Sequence, residues 1–304
     1  MAYLCSPSVR VPGYNVLETT CRRRSRFVDR ASVNPCQKRS KEWRACISFS
    51  YNSVLDEPGI MELPCLPFAS AEVFIPTATK TLHLYEARFL ALLDEVLGKY
   101  NSMFAHIVIE RVSNGIEEGV SSFAAKYGCL AQIENVRRME VGALVSIRGL
   151  GRINLAKLTQ LEPFLKGTLV PFHDAVHSDA EELDAAVEEL KTVLADVQRL
   201  QIKLRGSKDE LLQTPLANSL QWAENGTVHE KAIGFVPCKA ESLSFVPLQP
   251  VTSASVSELQ VLLQERIWSM EATSTIERLR RVTKFAEHNR SSLAAKVALQ
   301  SLEF

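Results

Sequence analysis

The chain has 304 residues, of which 46% are apolar and 23% are charged, so it is long enough to bury one or two globular cores. No stretch approaches 18 consecutive apolar residues, which excludes a membrane-spanning helix. Basic and acidic residues both number 35, and the formal charge is therefore zero, but the two kinds are distributed unevenly along the chain.

Residues 1–50 differ in composition from the rest of the chain. They hold ten basic residues against three acidic ones, a net charge of +7, together with seven serines. They also lack the apolar run of a secretory signal, so we predict a disordered transit peptide directed to the chloroplast stroma and cleaved near Ala45, with the mitochondrion as the alternative destination. A basic arm that remains on the chain and binds nucleic acid or an acidic surface is the other interpretation.

The rest of the chain must carry −7 to balance this segment, which disfavours general binding to a phosphate backbone. Seven cysteines are scattered along the whole chain with no Cys-x-x-Cys pair. This pattern argues against a zinc ribbon, a RING-type site or a thioredoxin-like motif. It suits a reducing compartment, in which we expect Cys65 and Cys129 to be inert core residues.

Residues 60–173 show the pattern of a strand-rich domain. Short apolar pieces broken by three prolines at 62–76 indicate edge strands and turns. Apolar positions at helical intervals then predict one helix from Leu84 to Gly98. Alternating patterns follow at 103–110, 128–136, 142–149 and 152–160, with Gly149-Leu150-Gly151 interpreted as a turn, and together they predict a small barrel or sandwich.

Residues 178–304 show helical periodicity. A capping box formed by Ser178 and Glu181 precedes an apolar heptad seam, which indicates either a surface for self-association or an antiparallel helix pair within the chain. A second helix is predicted at 209–224, opened or kinked near Pro215. Residues 226–255 are interpreted as a long loop. Two more capping boxes, Ser255 with Glu258 and Ser274 with Glu277, predict two further helices.

A search for catalytic chemistry finds no phosphate-binding Gly-rich motif, no His-Glu-x-x-His and no Gly-x-Ser-x-Gly elbow. One cluster is a candidate, because His83 and Glu86 lie one helical turn apart and His106 lies on a following strand, a set that suits a divalent metal or a shared proton. The structural alternative is that Tyr85, Phe89 and Leu92 pack the helix across the sheet. Glu86 and Arg88 would then fix its start.

Four motifs carry a resemblance to a known family. They are Phe-Ile-Pro at 74–76, Leu-His-Leu-Tyr-Glu-Ala-Arg-Phe at 82–89, Gly-Cys-Leu-Ala-Gln-Ile-Glu at 128–134 and Arg-Gly-Leu-Gly-Arg at 148–152. In this order and spacing they resemble the N-terminal, substrate-recognising domain of the Lon (La) ATP-dependent proteases. Structural roles are expected for these motif residues: Pro76, His83, Tyr85, Glu86, Arg88, Phe89, Gly128, Gly149 and Arg152.

The resemblance implies an α+β fold, a PUA-like pseudo β-barrel with one crossing helix followed by an α-helical bundle. The sequence departs from the family at Ala78 or Thr79, where a glycine often follows the Phe-Pro turn, and residues 174–255 are longer than usual. The chain also ends where the ATPase and Ser-Lys peptidase modules would begin. We therefore expect no catalytic residue, cofactor or metal, and a role in binding polypeptide clients or a partner protein.

Two other functions remain open at this stage. PUA-like barrels often bind RNA, and a basic stripe on one barrel face would favour that role over polypeptide binding, whereas interspersed acids would weaken it. The stripe would consist of Lys126, Arg137, Arg138, Arg148 and Arg152. The third possibility is a metal-dependent hydrolase that uses His83.

Overall fold

The computed structural model describes residues 59–112, 122–205 and 213–302. The predicted transit peptide at 1–50 lies outside these ranges and stays a prediction. No helix within the described ranges combines the length and the apolar character that a membrane crossing requires.

Within the described ranges, six strands form one sheet that closes on itself. The strands are β1 (Met61–Phe68), β2 (Thr79–Leu84), β3 (Met103–Val112), β4 (Ser122–Arg138), β5 (Ala143–Gln160) and β6 (Leu165–Pro171). Their order is β2-β5-β4-β3-β1-β6, and β6 also pairs with β5, so five strands make a ring and β2 extends the sheet beyond it. The predicted α+β fold with a pseudo-barrel is confirmed.

In the strand order β1 lies between β3 and β6, so it is not a terminal strand of the sheet, but the edge character predicted for the prolines at 62–76 is present locally in each half of β1. Residues 61–65 pair with β6, whereas residues 65–68 pair with β3. Each half of β1 therefore has a partner on one side only. Pro64 and Pro67 are tolerated because each lies in a half with one free edge, where a missing N–H breaks no second ladder.

Two apolar clusters cover the two faces of the sheet. Alternate residues such as Cys65, Ile107 and Leu130 fill the inside of the ring, which Phe235 closes at one end. Residues of the opposite parity pack against the single helix of the barrel, α1 (Ala87–Lys99), which buries Leu92, Leu93 and Val96. The sequence placed this helix correctly, but it begins at Ala87 and continues through Gly98 to Lys99.

The segment predicted as a turn between two strands lies inside a single strand, β5, which is 18 residues long. Leu130 faces Gly151 and Ala131 faces Gly149, so Leu150 is an extra residue and the site is a β-bulge. A Cβ atom on Gly149 would overlap the carbonyl oxygen of Ile75. The glycine is therefore required by close backbone approach rather than by a turn.

In the part of the chain that the structure describes, five α-helices follow the barrel helix: α2 (Ala180–Arg205), α3 (Pro215–Asn225), α4 (Lys239–Phe245), α5 (Val256–Glu271) and α6 (Thr275–Leu302). The capping box at Ser255 and Glu258 is confirmed with both reciprocal hydrogen bonds present. At the start of α2 the prediction is one residue out of register, because Asp179 rather than Ser178 accepts the hydrogen bond from the backbone N–H of Glu182.

The heptad seam of α2 is buried against α6 within the same chain, so the surface predicted for self-association is covered. The two helices run parallel, which corrects the antiparallel pair expected from sequence. Ion pairs join Glu182 to Arg280 near the two helix starts and Asp196 to Arg290 further along both. A parallel pair is possible because the long segment between α2 and α6 returns the chain to the starting end.

The predicted loop at 226–255 is largely structured. It contains a 3₁₀ helix at Glu230–Phe235, the helix α4 and a second 3₁₀ helix at Val246–Leu248. Its apolar side chains Phe235, Phe245 and Leu248 are buried. Each piece is too short to show a helical period in the sequence, which is why the pattern indicated a loop.

Candidate functional site

A groove of about 540 Å³ lies between the barrel and α3. One wall is formed by Gln132 and Glu134 of β4 and by Arg148 of β5, and the other by α3 and the two residues that follow it. This volume is in the range of small-molecule and peptide sites in proteins.

The sequence of α3 fixes the helix wall. Thr214 is the N-cap and accepts a hydrogen bond from the backbone N–H of Ala217 at 3.1 Å, and Pro215 occupies the first helical position. Because residues three and four apart share a face of a helix, Asn218, Trp222 and their neighbours Gln221 and Asn225 line the groove together. The proline therefore starts α3 rather than kinking it.

Arg148 organises the floor of the groove. Its side chain is 8% exposed, pairs with the carboxylate of Glu134 and donates to Asn218 Oδ1 at 2.7 Å. A third bond reaches the carbonyl oxygen of Thr77 at 3.3 Å, and the guanidinium lies 5.6 Å from the ring centroid of Trp222. The charged lining residues are Arg148 and Glu134, which pair with each other, so the groove is formally neutral.

A strained residue holds α3 against the barrel. Thr77 is fully buried with a positive φ of 67°, and its hydroxyl lies 2.6 Å from the hydroxyl of Ser219 on α3. A positive φ is rare for a β-branched residue and persists only where the surroundings fix it.

Several hydrogen-bonding groups of the groove are unused. In the described part of the chain, the carboxamides of Gln132, Gln221 and Asn225 have no hydrogen-bonding partner, and neither does the indole N–H of Trp222. Asn218 uses only its oxygen, on Arg148. The groove can therefore offer neutral donors and acceptors on both walls to a bound molecule.

Arg152, predicted as a motif residue, lies instead in a buried ionic cluster between the barrel and the helices. Its side chain is 1% exposed and donates to Asp174 at 2.5 Å and to Glu241 of α4 at 2.7 Å. Arg278 of α6 also pairs with Asp174, which accepts a further bond from the hydroxyl of Thr275. Two guanidiniums and two carboxylates balance, so this cluster is a structural joint.

The charges of this joint act on Asp174 in opposite directions. Burial by itself would raise the pKa of its carboxyl, but the guanidiniums of Arg278 and Arg152 and the Thr275 hydroxyl together lower the pKa below its ordinary value. Burial also lowers the pKa of Arg278, an effect that the neighbouring carboxylates oppose. Asp174 is therefore ionised in the folded protein at neutral pH.

The residues of the motif at 82–89 lie at the junction of β2 and α1. Glu86 is the N-cap of α1 but makes no side-chain capping bond, and it accepts instead from Arg88 at 2.7 Å. The Arg88 guanidinium lies over the ring of Phe89, which packs partly buried on the core. Tyr85, expected to pack across the sheet, is 43% exposed and its ring lies 5.7 Å from that of His83 in a tilted arrangement, so that expectation is wrong.

The alternative metal or acid–base site is not assembled. His83 is exposed and bonds the carbonyl oxygen of Val141 at 3.0 Å. His106 is buried and stacked on Phe68 at 3.8 Å between ring centroids, and burial lowers its pKa well below the usual value. No group of three or more potential metal ligands occurs in the parts of the chain that the structure describes.

The remaining motif residues have structural positions. Pro76 is buried beside Thr77, Gly128 of β4 faces Ile153 of β5, and Gly149 flanks the bulge. Cys65 and Cys129 are buried free thiols, as predicted, and burial raises the pKa of Cys65 to about 12 and that of Cys129 still further. Neither thiol is available as a nucleophile at neutral pH.

The basic stripe that would favour RNA binding is interrupted by acids. Lys126 pairs with Glu110, Arg138 pairs with Asp94, and Arg148 pairs with Glu134. Arg152 is buried in the joint, which leaves Arg137 as the one exposed stripe residue without an acidic partner among the described residues. By the criterion set from sequence, this arrangement weakens the RNA-binding alternative.

The groove itself was not predicted from the sequence. The signal was present, since Asn218, Gln221, Trp222 and Asn225 follow the spacing of one helical face. That face is polar around an aromatic residue, whereas a search for apolar periodicity looks at the opposite face. The partner wall was also hidden, because Arg148 was assigned to a basic stripe.

The barrel, α2 and α3 match a known protein family. Residues 62–226 match the family described as ATP-dependent protease La (LON) substrate-binding domain. The match therefore ends at Gly226, the last but one residue of the groove wall. No ATPase or peptidase domain is found with it.

Solved structures and curated proteins were compared as well. A Lon N-terminal domain protein from Xanthomonas campestris is 18% identical, with 73% of this chain and 96% of that chain covered and a TM-score of 0.36. The N-terminal domain of a Mycobacterium avium complex Lon protease is 15% identical, with 75% and 98% covered and a TM-score of 0.38. Comparison with curated proteins gives no significant match.

Proposed function

Since the chain belongs to the family of ATP-dependent protease La (LON) substrate-binding domains, we propose that it is a non-catalytic module that binds polypeptides in the groove between its barrel and α3. A substrate-binding domain in a protease recognises polypeptide, and the family match covers the groove up to Gly226. Chemistry on the bound chain would be left to other proteins.

One observation carries the assignment to the groove. Gln132 on one wall and Gln221 and Asn225 on the other keep free carboxamides around Trp222. Exposed carboxamides can hydrogen-bond to water, so their lack of partners causes no strain in the free protein. The same groups can exchange water for a polypeptide, while the rim of Trp222 adds apolar contact.

Binding of a permanently unfolded protein tests this proposal. Reduced and alkylated lactalbumin, carrying a fluorescent label, would be titrated with the full chain and its anisotropy recorded. The double variant Gln221→Met with Asn225→Leu keeps side-chain size but removes hydrogen bonding, so we expect about five- to fiftyfold weaker binding. Both positions are exposed, so folding should not suffer.

The matched control is Gln264→Met, an exposed glutamine on α5 away from the groove, which should bind like the parent. Equal affinity of the double variant and the parent would remove the groove from the proposal. Absence of any binding to the unfolded protein would contradict polypeptide recognition altogether. Release of peptides or of inorganic phosphate from ATP by the purified chain, at a rate abolished by one substitution, would contradict the non-catalytic role.

The chloroplast stroma is the proposed location, supported by the +7 charge and serine content of residues 1–50. A fluorescent protein fused behind residues 1–60 should accumulate in plastids of plant cells, and import should shorten the full chain at its N-terminus. Accumulation in mitochondria would select the alternative destination. A cytosolic fusion that keeps its full length would contradict both.

A further inference from the structure

The carboxamides of the groove indicate which part of a polypeptide the groove binds. From their number, placement and neutrality we infer that the groove binds the main chain of an extended segment about three residues long, largely irrespective of which uncharged side chains it carries. This inference rests on the proposed function and specifies its ligand. It follows from three features of the groove: hydrogen-bond type, charge and length.

The hydrogen-bond types match a peptide backbone. A carboxamide carries both donors and an acceptor, as each peptide unit does. In an extended chain successive peptide units point to opposite sides, so a segment in the groove needs partners on both walls. Gln132 supplies one wall, while Asn218, Gln221 and Asn225 supply the other.

The groove presents no net charge to a ligand. Arg148 and Glu134 are the charged lining residues, and they neutralise one another. Arg148 has little spare capacity, because it also donates to Asn218 and to the carbonyl oxygen of Thr77. An acidic side chain would have to displace Glu134, and a basic one would have to displace Arg148. A neutral segment disturbs neither contact.

The length of the helix wall sets the length of the segment. From Asn218 to Asn225 the helix rises about 10 Å at 1.5 Å per residue. An extended chain advances about 3.3 Å per residue, so about three residues lie alongside this wall. The segment is short enough to occur many times in any unfolded protein, which suits recognition of many clients.

A carbohydrate is the other class of ligand that carboxamides and tryptophan commonly hold, but the environment of Trp222 disfavours it. Sugars stack on an open aromatic face, whereas the guanidinium of Arg148 lies 5.6 Å from this ring centroid. Gly226 also packs on the indole, since a Cβ atom there would lie 2.8 Å from Trp222 Cε2. These contacts reduce the free ring face and favour binding at the ring edge and its N–H.

The test compares two peptides that differ only in the backbone. The first is an eight-residue peptide of leucine, alanine and glutamine, blocked at both ends and labelled with an uncharged dye. In the second, three central amide N–H groups are replaced by ester oxygens, which keeps the side chains. Each lost hydrogen bond weakens binding about two- to tenfold, so we expect the ester peptide to bind the full chain at least about tenfold more weakly.

Two further measurements accompany this comparison. The affinity of the amide peptide should change by less than about twofold between about 0.05 M and about 0.5 M NaCl, because no net charge is involved. The double variant Gln221→Met with Asn225→Leu should bind both peptides equally weakly. Gln264→Met should reproduce the difference seen with the parent chain.

The possible outcomes separate this inference from the proposed function. If the double variant weakens binding but the ester and amide peptides bind the parent equally, polypeptide recognition at the groove stands and main-chain recognition is wrong. A second outcome is that the ester peptide binds both proteins weakly and the amide peptide binds the double variant as tightly as the parent. The main chain would then be bound at a site other than the groove. Preferential binding of a soluble oligosaccharide that the double variant abolishes would overturn the inference in favour of a sugar ligand.

Discussion

Replacing Asp174 by asparagine should destabilise the protein more than any other single loss of charge in the joint. Asp174 accepts hydrogen bonds from Arg152, Arg278 and Thr275, and it is the one carboxylate that contacts both guanidiniums directly at short range. In the Asp174→Asn variant the two arginines would face only Glu241. One buried positive charge would then lack a counter-charge.

The magnitude follows from the burial of the cluster. The side chains of Arg152, Asp174, Glu241 and Arg278 are each at most 4% exposed, so solvent screens their interactions little. Removing one partner from a buried pair costs about 3–5 kcal/mol. Since a domain is stable by about 5–15 kcal/mol, the variant should lose a large share of its free energy of unfolding. Urea titration followed by circular dichroism measures this loss as a lower midpoint at unchanged slope.

The pH dependence provides a second readout. Because the folded-state pKa of Asp174 lies below its ordinary value of 3.8, its stabilising contribution is fully present above that value. As the pH falls below about 4, the unfolded state binds the proton more readily, and the contribution is lost on passing through the folded-state pKa. The free energies of unfolding of parent and variant should therefore differ most near neutral pH and converge in acid.

Asp94→Asn is the matched control. Asp94 also pairs with an arginine, Arg138, but both side chains are more than half exposed, so its loss should cost less than about 1 kcal/mol. A loss below about 1 kcal/mol for Asp174→Asn, with no convergence in acid, would refute the view that Asp174 neutralises the joint. The double variant Asp174→Leu with Arg278→Met should lose less than the sum of its two single variants, because it removes one charge of each sign.

Two other predictions concern the barrel. Gly149→Ala should lower the free energy of unfolding by about 1–3 kcal/mol, because its Cβ would overlap the Ile75 carbonyl oxygen. The control Gly98→Ala, whose Cβ would meet no heavy atom within 4 Å, should be neutral or stabilising by up to about 1 kcal/mol. Thermal unfolding of both variants measures the difference, and equal effects would contradict the close backbone approach at Gly149. Glu86→Ala should cost less than about 1 kcal/mol, since its carboxylate makes no capping bond and pairs with the partly exposed Arg88. A loss of about 3 kcal/mol in urea titration would contradict this and indicate that Glu86 satisfies a buried donor.

Local sequence patterns were sufficient to predict the elements whose determining residues lie close together in the chain. The capping box of Ser255 and Glu258 was readable because both partners lie within one helical turn. The strands β3 and β4 were predicted because apolar and polar residues alternate along parts of each. Boundaries were less accurate, as the extension of α1 beyond Gly98 shows, because a glycine ends a helix only where the following backbone turns away.

Features that depend on contacts between residues far apart in the sequence could not be predicted from it. The direction of α6 relative to α2 depends on the path of the segment between them, which has no periodic signal. The role of Arg152 required two carboxylate partners, Asp174 and Glu241, the second of which lies 89 residues away along the chain. The groove required both α3 and the face of β4 and β5 that it meets. Pairing across such distances is set by packing, which a single sequence does not display.

The bulge in β5 explains how one short motif serves two purposes. Side chains four residues apart on a regular strand share a face, so Arg148 and Arg152 would point the same way. The extra residue Leu150 changes this parity: Leu150 and Ile153 both belong to the cluster inside the ring, although they are three residues apart, and Ile147 belongs to the other cluster. Arg148 is thereby directed to the groove and Arg152 to the joint with the helices. The insertion of one residue thus separates the arginine that shapes the proposed binding site from the arginine that holds the two halves of the fold together.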